Sequence, residues 1–390
     1  MEQREFELGD LLSYEQPTQY IVESTEYNDA YKIPVLTAGK SFVLGYTNET
    51  TGIFDKLPVI IFDDFTTSSQ YVNFQFKVKS SAMKILNPNL ELVLPKFIFY
   101  KMQMIDFDHG THKRYWIQQY SKIKAKIPSI PRQEIILTKI EELFSELDKG
   151  VETLITIKKQ LEVYRQAVLK EAFEGSLIIG ITPKNELLKS FIEKPRYGTS
   201  KKCDHENEAN STAVIRIPNI DVRRGVVSYD DVKYANFDSG ELETLDLREG
   251  DLLVIRSNGS VSLVGRAAYV RDFDKENTFA GYLIRLRIID KKKLSPKFLH
   301  LYLSSFRARE YFESVAKSTS GVNNLNAQEI SNLVIPYVDI ERQEAIIKEI
   351  DSRLSVCDNI EQIVEAALEQ AESMRKSILK QAFEGRLINE

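Results

Sequence analysis

Two long stretches of the chain place apolar residues at the spacing of a helix. From 140 to 172, and again from 350 to 382, apolar side chains recur at steps of three, four or seven residues. Each stretch follows a proline-bearing segment, and Gly175 and Gly385 stand where a helix C-terminal cap is expected. The spacing is close to a sustained heptad seam, so it predicts two long helices that pair as a coiled coil.

The two stretches are also copies of each other at a constant offset. RQE at 132–134 recurs at 342–344, and LKEAFEG at 169–175 recurs as LKQAFEG at 379–385, with no slip of register between these ends. Repetition at a fixed period indicates that one structural unit occurs twice. Each half of the chain is therefore predicted to be a globular domain followed by a long helix.

A shorter repeat lies inside the globular halves. The motif PKF opens an apolar run at Pro95 and again at Pro296, and proline is favoured at the first position of a helix. Ser295 stands at the expected N-cap of the second copy. Two more short helices are predicted at these positions.

The rest of each half has the pattern of β-strands. Runs rich in β-branched and aromatic residues, bounded by Gly, Asn, Asp and Ser, lie at 59–62, 71–78, 252–255 and 282–289. The fold class expected is α/β, with two mixed α/β domains and two long helices. The predicted boundaries are a first domain at 1–131, a first helix at 132–177, a linker at 178–212, a second domain at 213–340 and a second helix at 341–390.

Charge is distributed unevenly along the chain. The chain carries a net charge of −5, and its helical segments are acidic, with 7 Lys/Arg against 9 Asp/Glu at 132–175 and 7 against 11 at 341–390. Residues 213–336 hold 18 Lys/Arg against 16 Asp/Glu. Because this is no strong basic footprint, charge alone does not indicate a nucleic-acid partner.

The compartment is predicted from the cysteines and the hydropathy pattern. Cys203 and Cys357 are the only cysteines, and neither belongs to a C-x-x-C pair, so no disulfide framework or zinc site is expected. No basic segment precedes an apolar one at the N-terminus, and no stretch has the apolar length of a membrane span. We expect a cytoplasmic protein without a membrane partner.

Catalytic motifs are missing from the sequence. Gly39-Lys40-Ser41 imitates the end of a phosphate-binding loop, but Pro34 stands where the first glycine is required. None of the four histidines lies in an H-E-x-x-H motif or beside an obvious nucleophile. We therefore expect that the chain is not an enzyme. We also expect that it has no catalytic site, no metal site and no cofactor of its own.

Two loops are the first candidates for a binding function. In both, a predicted strand leads into a polar loop and a second strand follows. They follow the apolar runs at 59–62 and 252–255 and carry the residue types that read base edges in DNA. The alternative is an ordinary hairpin turn, which Ser-Asn-Gly favours on its own. The candidate DNA-binding residues are Asp63, Asp64, Thr66, Thr67, Ser68, Ser69 and Gln70 in the first loop, and Arg256, Ser257, Asn258, Ser260 and Arg266 in the second.

Two further polar stretches, at 109–114 and 318–324, have matched positions before the proline segments of the long helices. Lysine and arginine suit phosphate contacts, and asparagine suits base edges. Solvated loops are the alternative. The candidates here are Thr111, Lys113, Arg114, Ser320, Asn323 and Asn324.

The phrases collected above resemble one protein family over almost the whole chain. The helix ending AFEG-x-L after an I-P and R-Q-E segment, RSNGS at 256–260 followed by VGR at 264–266, and FDDF at 62–65 are similar to type I restriction-modification specificity subunits. The first half lacks the RSNGS phrase. The resemblance therefore supports the loop assignments of the second half more directly than those of the first.

The resemblance implies a DNA-binding role without catalysis. Each globular domain would be a target-recognition domain that reads one half of a bipartite double-stranded DNA site. The helices would pack antiparallel as a spacer, roughly 65 Å long for 132–175 at about 1.5 Å per residue. They would dock two methyltransferase subunits that bring S-adenosylmethionine, and translocase-nuclease subunits would bring ATP and Mg²⁺. The competing hypothesis is a coiled-coil scaffold that binds protein and reads no DNA.

Overall fold

A computed structural model describes residues 4–39, 41–107, 115–174, 183–206, 211–274, 276–319 and 321–387. The chain divides into two compact units. Unit 1 comprises Met1–Ile155 with Glu365–Glu390, and unit 2 comprises Thr156–Val364. Both long helices therefore contribute one part of their length to each unit.

Unit 1 contains nine strands and three short helices among its described residues. The strands are β1 (Arg4–Glu7), β2 (Leu12–Glu15), β3 (Ile33–Leu36), β4 (Val43–Thr47), β5 (Val59–Asp63), β6 (Ser69–Val72), β7 (Lys77–Val78), β8 (Met83–Pro88) and β9 (Lys124–Ile127). The helices are α1 (Leu8–Leu11), α2 (Pro95–Met102) and α3 (Tyr115–Gln118), and the long helix α4 (Ile130–Phe173) follows them.

The strands of unit 1 form three sheets. An antiparallel sheet has the order β2-β8-β5-β6, a second has the order β4-β3-β7 with β3 parallel to β7, and β1 pairs with β9. The apolar strand β5 is central, and its residues Val59–Phe62 are buried on both faces because α2 and the start of α4 cover one side and the β3 sheet covers the other.

Unit 2 contains fourteen strands and four short helices among its described residues. The strands are β10 (Lys184–Leu187), β11 (Arg196–Tyr197), β12 (Ser211–Ile215), β13 (Ile220–Asp221), β14 (Val226–Val227), β15 (Lys233–Asn236), β16 (Leu252–Ile255), β17 (Ser257–Asn258), β18 (Ala267–Tyr269), β19 (Thr278–Phe279), β20 (Leu283–Leu286), β21 (Lys317–Thr319), β22 (Val322–Asn324) and β23 (Val334–Tyr337). The helices are α5 (Ser239–Thr244), α6 (Pro296–Leu303), α7 (Phe306–Val315) and α8 (Ala327–Ser331), followed by the long helix α9 (Ile340–Phe383).

The sheets of unit 2 repeat those of unit 1. The order β11-β20-β16-β18 corresponds to β2-β8-β5-β6 and is extended by β14 and β13, the order β15-β12-β19 corresponds to β4-β3-β7, and β10-β23 corresponds to β1-β9. In both units the middle strand of the three-stranded sheet has one antiparallel and one parallel partner. The sequence repeat is therefore a repeat of whole domains, and two mixed α/β domains with two long helices are confirmed.

Each long helix is tied to its preceding domain by a buried glutamine. The Gln133 side-chain oxygen accepts from the Leu94 N–H at 2.8 Å, and its amide donates to the carbonyls of Leu92 and Pro128. Gln343 accepts from the Ser295 N–H at 2.8 Å and donates to the carbonyls of Lys293 and Val338. Ser295 takes the N-cap position predicted for α6, but its side chain makes no capping bond.

The two long helices run antiparallel within each unit. In unit 2, Arg165 of α4 bonds Asp358 of α9 at 2.6 Å, and further along α4 Glu171 pairs with Arg353, which comes earlier in α9. In unit 1, Arg375 pairs with Asp148. Among the described residues, no helix carries a long enough uncharged apolar run to cross a bilayer.

The end of α9 confirms the predicted glycine cap. Gly385 has φ +76°, its N–H donates to Ala382, and the Arg386 N–H reaches back to Gln381 at 2.8 Å. These two bonds form a Schellman motif, whose left-handed residue favours glycine. The helix begins at Ile340, and α4 begins at Ile130, two residues before the predicted start. Gly175 lies outside the described residues.

The predicted linker at 178–212 is wrong over its described residues. Lys184–Leu187 forms β10 and pairs with β23, Leu188 and Ile192 are buried in the core of unit 2, and Arg196–Tyr197 forms β11. The strands of this stretch were missed because they lie at sheet edges and bury few side chains, so their composition is polar. The second domain therefore extends back to about residue 183.

Two predicted strands are shorter than their apolar runs. The run at 71–78 is divided between β6 of one sheet and β7 of another, because the chain leaves the first sheet and Phe76 bridges to Phe54. The run at 282–289 is a strand only over Leu283–Leu286. The runs at 59–62 and 252–255 lie within β5 and β16 as predicted.

Candidate nucleic-acid interface

The two polar stretches predicted in the second half of the chain meet in one small sheet. β17, which carries Ser257 and Asn258, pairs antiparallel with β22, so that Ser257 faces Asn324 and Asn258 faces Asn323. β21 completes this sheet on the other side of β22. Residues more than sixty positions apart therefore form one polar surface at the end of β16.

Hydrogen bonds within this surface fix its turn. The Asn258 side-chain oxygen accepts from the Ser260 N–H at 2.8 Å, and the Asn323 amide donates to the Gly259 carbonyl at 3.0 Å. Asn324 donates to the Val322 carbonyl at 3.2 Å. The first of these is a typical Asx turn, so part of the predicted signal is turn chemistry. Ser260 is exposed, and the three asparagines are partly exposed.

Arg256 lies at the base of the same surface. Its guanidinium donates to the carbonyls of Leu325 and Gly281 at 3.3 and 3.4 Å, and it lies 5.0 Å from the centre of the Tyr197 ring. Two of its five donors are thus used by the backbone, and a cation–π contact with the ring adds to these bonds. Arg256 is a preoriented cation at the edge of the loop.

A second arginine, absent from the sequence prediction, supports the loop from below. Arg309 of α7 is buried and donates to the carbonyls of Val264 and Ser262 at 2.5 and 3.0 Å. Burial, and then the charge of Arg266, lower the pKa of Arg309 to about 10. Arg266 is half-buried, and burial lowers its pKa as well. Because Arg309 lies far from the loop in the sequence, no local sequence pattern marked it as part of the site.

Gly265 is required where this loop returns to β18. It has φ +85°, and a Cβ at this position would lie 2.3 Å from Cδ2 of Phe312. Both the left-handed backbone and the close approach of α7 exclude a side chain. The glycine that the family phrase VGR contains therefore has a packing reason.

The corresponding loop of unit 1 is a tighter turn. The Asp63 carboxylate accepts from the N–H groups of Phe65 and Thr66 at 2.8 and 3.1 Å, and Thr67 has φ +56°. Thr66 is exposed, and Thr67, Ser68 and Gln70 are partly exposed. Asp63 therefore shapes the turn, and the residues after it form the accessible surface.

Asp64 is not available to DNA, and its prediction as a contact is wrong. Its side chain is 2% exposed, accepts from the Trp116 N–H at 2.8 Å and lies 3.6 Å from Nζ of Lys84. Lys84 is equally buried and also donates to Gln16 at 3.0 Å. Ser69 and Ser257 are buried too, and Ser69 accepts from the Gln103 amide at 2.9 Å. Asp64 and Ser69 therefore hold the first loop in place, and Ser257 is too buried to contact DNA.

Asp64 and Arg256 occupy the same place in the two units. The Asp64 N–H donates to Ala82 and its carbonyl accepts from Tyr115, whereas the Arg256 N–H donates to Tyr282 and its carbonyl accepts from Leu325. Each is the first residue after the central strand, with one backbone bond to the returning strand and one to the later segment. The two domains thus share the loop framework and differ in the side chain that it carries.

Four predicted residues cannot be placed. Thr111, Lys113, Arg114 and Ser320 lie outside the described residues. Within the described ranges, no three His, Cys, Asp or Glu side chains are grouped as a metal site.

Aromatic residues beside the loops escaped the sequence analysis. Tyr282 and Tyr197 flank Arg256 and are 62% and 41% exposed, and Phe65 in the first loop is 40% exposed. An apolar ring held at the surface next to polar loops is typical of an interaction surface. A tyrosine directly before an apolar strand was the available signal.

The second half of the chain matches a known protein family model. The family model described as the type I restriction modification DNA specificity domain matches residues 186–370. These residues are similar to that family. The match begins at Glu186 within β10, which agrees with the corrected start of the second domain.

Curated relatives are also described as type I restriction enzyme specificity subunits. The type I restriction enzyme EcoR124I/EcoR124II specificity subunit of Escherichia coli is 45% identical over 174 residues, which are 42% of this chain and 43% of the relative. The EcoKI specificity subunit of Escherichia coli strain K12 is 28% identical over 277 residues, 69% of this chain and 58% of the relative. The chain thus matches about half the length of these relatives. The resemblance inferred from the sequence is confirmed.

A solved structure shares the fold over the whole chain. A chain from the structural study of complex assembly and conformational transition of the type I R-M system has a TM-score of 0.68 at 16% identity, covering 98% of each chain. At this identity the likeness concerns the fold alone. It confirms the fold class, two mixed α/β domains with two long helices.

Proposed function

We propose that this chain is the subunit that reads DNA sequence for a type I restriction-modification complex. Each of its two domains recognises one half of a bipartite site in double-stranded DNA. The observation that carries the proposal is the convergence of the predicted polar stretches of unit 2 at the end of β16, in the surface where β17 meets β22. The names of the relatives, all specificity subunits, support it.

The accessible side chains define the reading chemistry of each domain. Asn258 and Asn323 of unit 2 carry amides, which suit the adenine edge in the major groove, and Arg256 suits guanine or a phosphate. In unit 1, Thr66, Ser68 and Gln70 take the equivalent place. Because the framework is shared and the side chains differ, the two half-sites differ in sequence.

The antiparallel helices act as spacer and docking surface. The helix α4 begins in unit 1 and ends in unit 2, whereas α9 begins in unit 2 and ends in unit 1. A 44-residue helix is about 65 Å long. In unit 2 the helices expose Val163, Val356 and Ile363, with exposed fractions of 71%, 56% and 67%. Apolar side chains at the surface of an acidic helix pair suit a protein partner. We assign this role to two methyltransferase subunits.

The chemistry then belongs to the partners, and this chain is non-catalytic. The methyltransferase subunits bring S-adenosylmethionine, and translocase-nuclease subunits bring ATP and Mg²⁺, in the cytoplasm. We place the first domain at about 1–129, followed by α4 at Ile130–Phe173, and we place the second helix, α9, at Ile340–Phe383. The second domain extends from about 183 to 340.

Mapping of modified adenines tests this function. The chain is co-expressed with its candidate methyltransferase, and modified positions are located across the host genome by single-molecule sequencing, with and without the chain. The expected result is a two-part motif with a fixed unspecified gap that disappears when the chain is omitted. Modification that does not depend on the chain, or a folded complex with no motif, contradicts the proposal and favours a protein-binding scaffold.

A further inference from the structure

Unit 1 contains a cavity away from the candidate DNA-binding loops. It lies where β1, β9 and α2 meet the start of α4 and the end of α9, and its volume is about 810 Å³. Small-molecule sites are typically about 300 to 1,000 Å³. The cavity is therefore large enough for a ligand of mononucleotide size, whereas a duplex is too wide to enter it.

The walls of the cavity are cationic. Arg4, Lys101, Lys126 and Arg132 line it, and among the described residues of the lining Glu91 is the only acidic one. None of the four cations forms an ion pair with a carboxylate of the described residues. In a chain with a net charge of −5, four unpaired cations around one cavity are a local excess that an anion would neutralise.

Lys101 is the most confined of these cations. Its Nζ lies 4.8 Å from the centre of the Phe383 ring, and burial lowers its pKa. Phe97 packs edge-on against Phe383 at 5.3 Å. A partly buried amine is thus held against an aromatic wall without an acidic partner, an arrangement that a bound anion stabilises.

The equivalent place in unit 2 is built differently. Tyr302 replaces Lys101, and its hydroxyl donates to the Val334 carbonyl at 2.8 Å. Phe173 packs against Tyr302 and against Phe298 as Phe383 packs against Phe97. The aromatic contacts are thus repeated, and the cation is particular to unit 1.

The same contrast holds at the start of the long helices. Arg342 pairs with Asp339 at 3.3 Å, whereas Ser129 stands at the corresponding position before Arg132. Lys126 corresponds to Pro336, one residue before the end of β23. At these positions unit 1 carries Lys101 and Lys126 and lacks an acid, whereas Glu91 and Leu92 stand where unit 2 has Lys292 and Lys293. The two units therefore differ in where the cations stand and not in their net charge, and in unit 1 they stand at Lys101 and Lys126, on the walls of the cavity.

We propose that this cavity binds a nucleoside polyphosphate. Several converging cations, two of them arginines, suit phosphate oxygens, and the wall of Phe6, Phe97 and Phe383 suits the flat base. The site is separate from DNA reading and independent of the function proposed above.

The test is calorimetric titration of the purified full-length chain, without DNA or partners, with ATP, GTP and inorganic triphosphate. Two variants install the residues of unit 2, Lys101→Tyr and Ser129→Asp. The matched control, Asp339→Ser, makes the reverse change in unit 2. Ser129→Asp places an acid before a helix N-terminus, where it is stabilising, so circular dichroism should show an intact fold.

The expected result is saturable one-to-one binding of nucleotide that weakens about tenfold or more in Lys101→Tyr and in Ser129→Asp and is unchanged in Asp339→Ser. No saturable binding at millimolar nucleotide overturns the proposal. So does binding that both unit 1 variants leave intact. Inorganic triphosphate binding as tightly as the nucleotides contradicts the assignment of the base to the aromatic wall.

Discussion

The first residue after the central strand differs in charge between the two units, although its backbone bonds are the same. In unit 1 this residue is Asp64, buried against Lys84, and in unit 2 it is Arg256, in cation–π contact with Tyr197 at the edge of the polar surface. One framework therefore carries a structural ion pair in one domain and an accessible cation in the other. Equivalent positions in a repeated fold need not share a function, and burial decides which role each has.

The largest effect on stability is expected from Asp64→Ala. The change leaves the buried Lys84 ammonium without its carboxylate, and breaking such a pair costs about 3 to 5 kcal/mol. Arg256→Ala, at the equivalent position, is expected to cost about 1 kcal/mol, because its partners are carbonyls at the surface. Urea unfolding monitored by hydrogen exchange in each unit measures both.

The double variant Asp64→Leu with Lys84→Met is the control. Since it removes both buried charges, it should recover most of the stability lost in Asp64→Ala. Equal losses in Asp64→Ala and Arg256→Ala would contradict the different roles assigned to the two residues.

Gly265→Ala is expected to cost about 3 kcal/mol in unit 2. A Cβ would overlap Phe312 and would also hold alanine at φ +85°. Gly321→Ala is the matched comparison, since Gly321 has φ +78° with nothing within 4 Å of the added Cβ, so about 1 kcal/mol is expected. Thermal unfolding of both variants separates backbone strain from packing, and equal losses would exclude the role given to Phe312.

Gln133→Leu and Gln343→Leu are expected to be equally destabilising, by about 2 kcal/mol each. Both substitutions leave a backbone N–H and two carbonyls without the buried side-chain amide that they bond. Hydrogen exchange at Leu94 and Ser295 reports each junction directly. A loss confined to one unit would show that the repeat is not equivalent at the helix starts.

A pH effect from the buried His300 is expected in unit 2. Burial lowers the pKa of His300 to about 4 from its ordinary 6.5, whereas the corresponding position in α2 is Phe99. The unfolded chain therefore binds the proton first, so stability is full above about pH 6.5 and falls as the pH drops towards 4, by at most about 1.4 kcal/mol per pH unit. His300→Phe should remove this part of the pH dependence in unfolding curves, and an unchanged slope would contradict the burial argument.

The sequence was sufficient to predict features that repeat in unbroken register. The two helices, the cap at Gly385 and the prolines that open α2 and α6 were all visible, because helical periodicity and capping depend on neighbouring residues. The repetition of the sheets was not visible. Strands such as β1 and β10 bury few side chains, so the 178–212 segment was interpreted as a linker.

The candidate site was predicted in outline and wrong in detail. The polar stretches around Asn258 and Asn323 do meet. Asp64 is excluded as a DNA contact because it is buried, and burial at the end of a strand is set by tertiary packing. Arg309 supports the loop from 45 residues further along the chain, and no local pattern marks it. The residue types indicated which DNA contacts were possible. Which of these side chains are accessible could be learned only from the folded structure.

Each domain is proposed to read its own half of one DNA site. The most direct measurement is the adenine-modification motif of cells expressing Asn323→Ala, compared with Gln70→Ala and the unchanged chain, each with the methyltransferase partner. We expect that Asn323→Ala relaxes one half of the motif, that Gln70→Ala relaxes the other, and that the gap stays constant. Relaxation of both halves by either substitution, or of the same half by both, would contradict it.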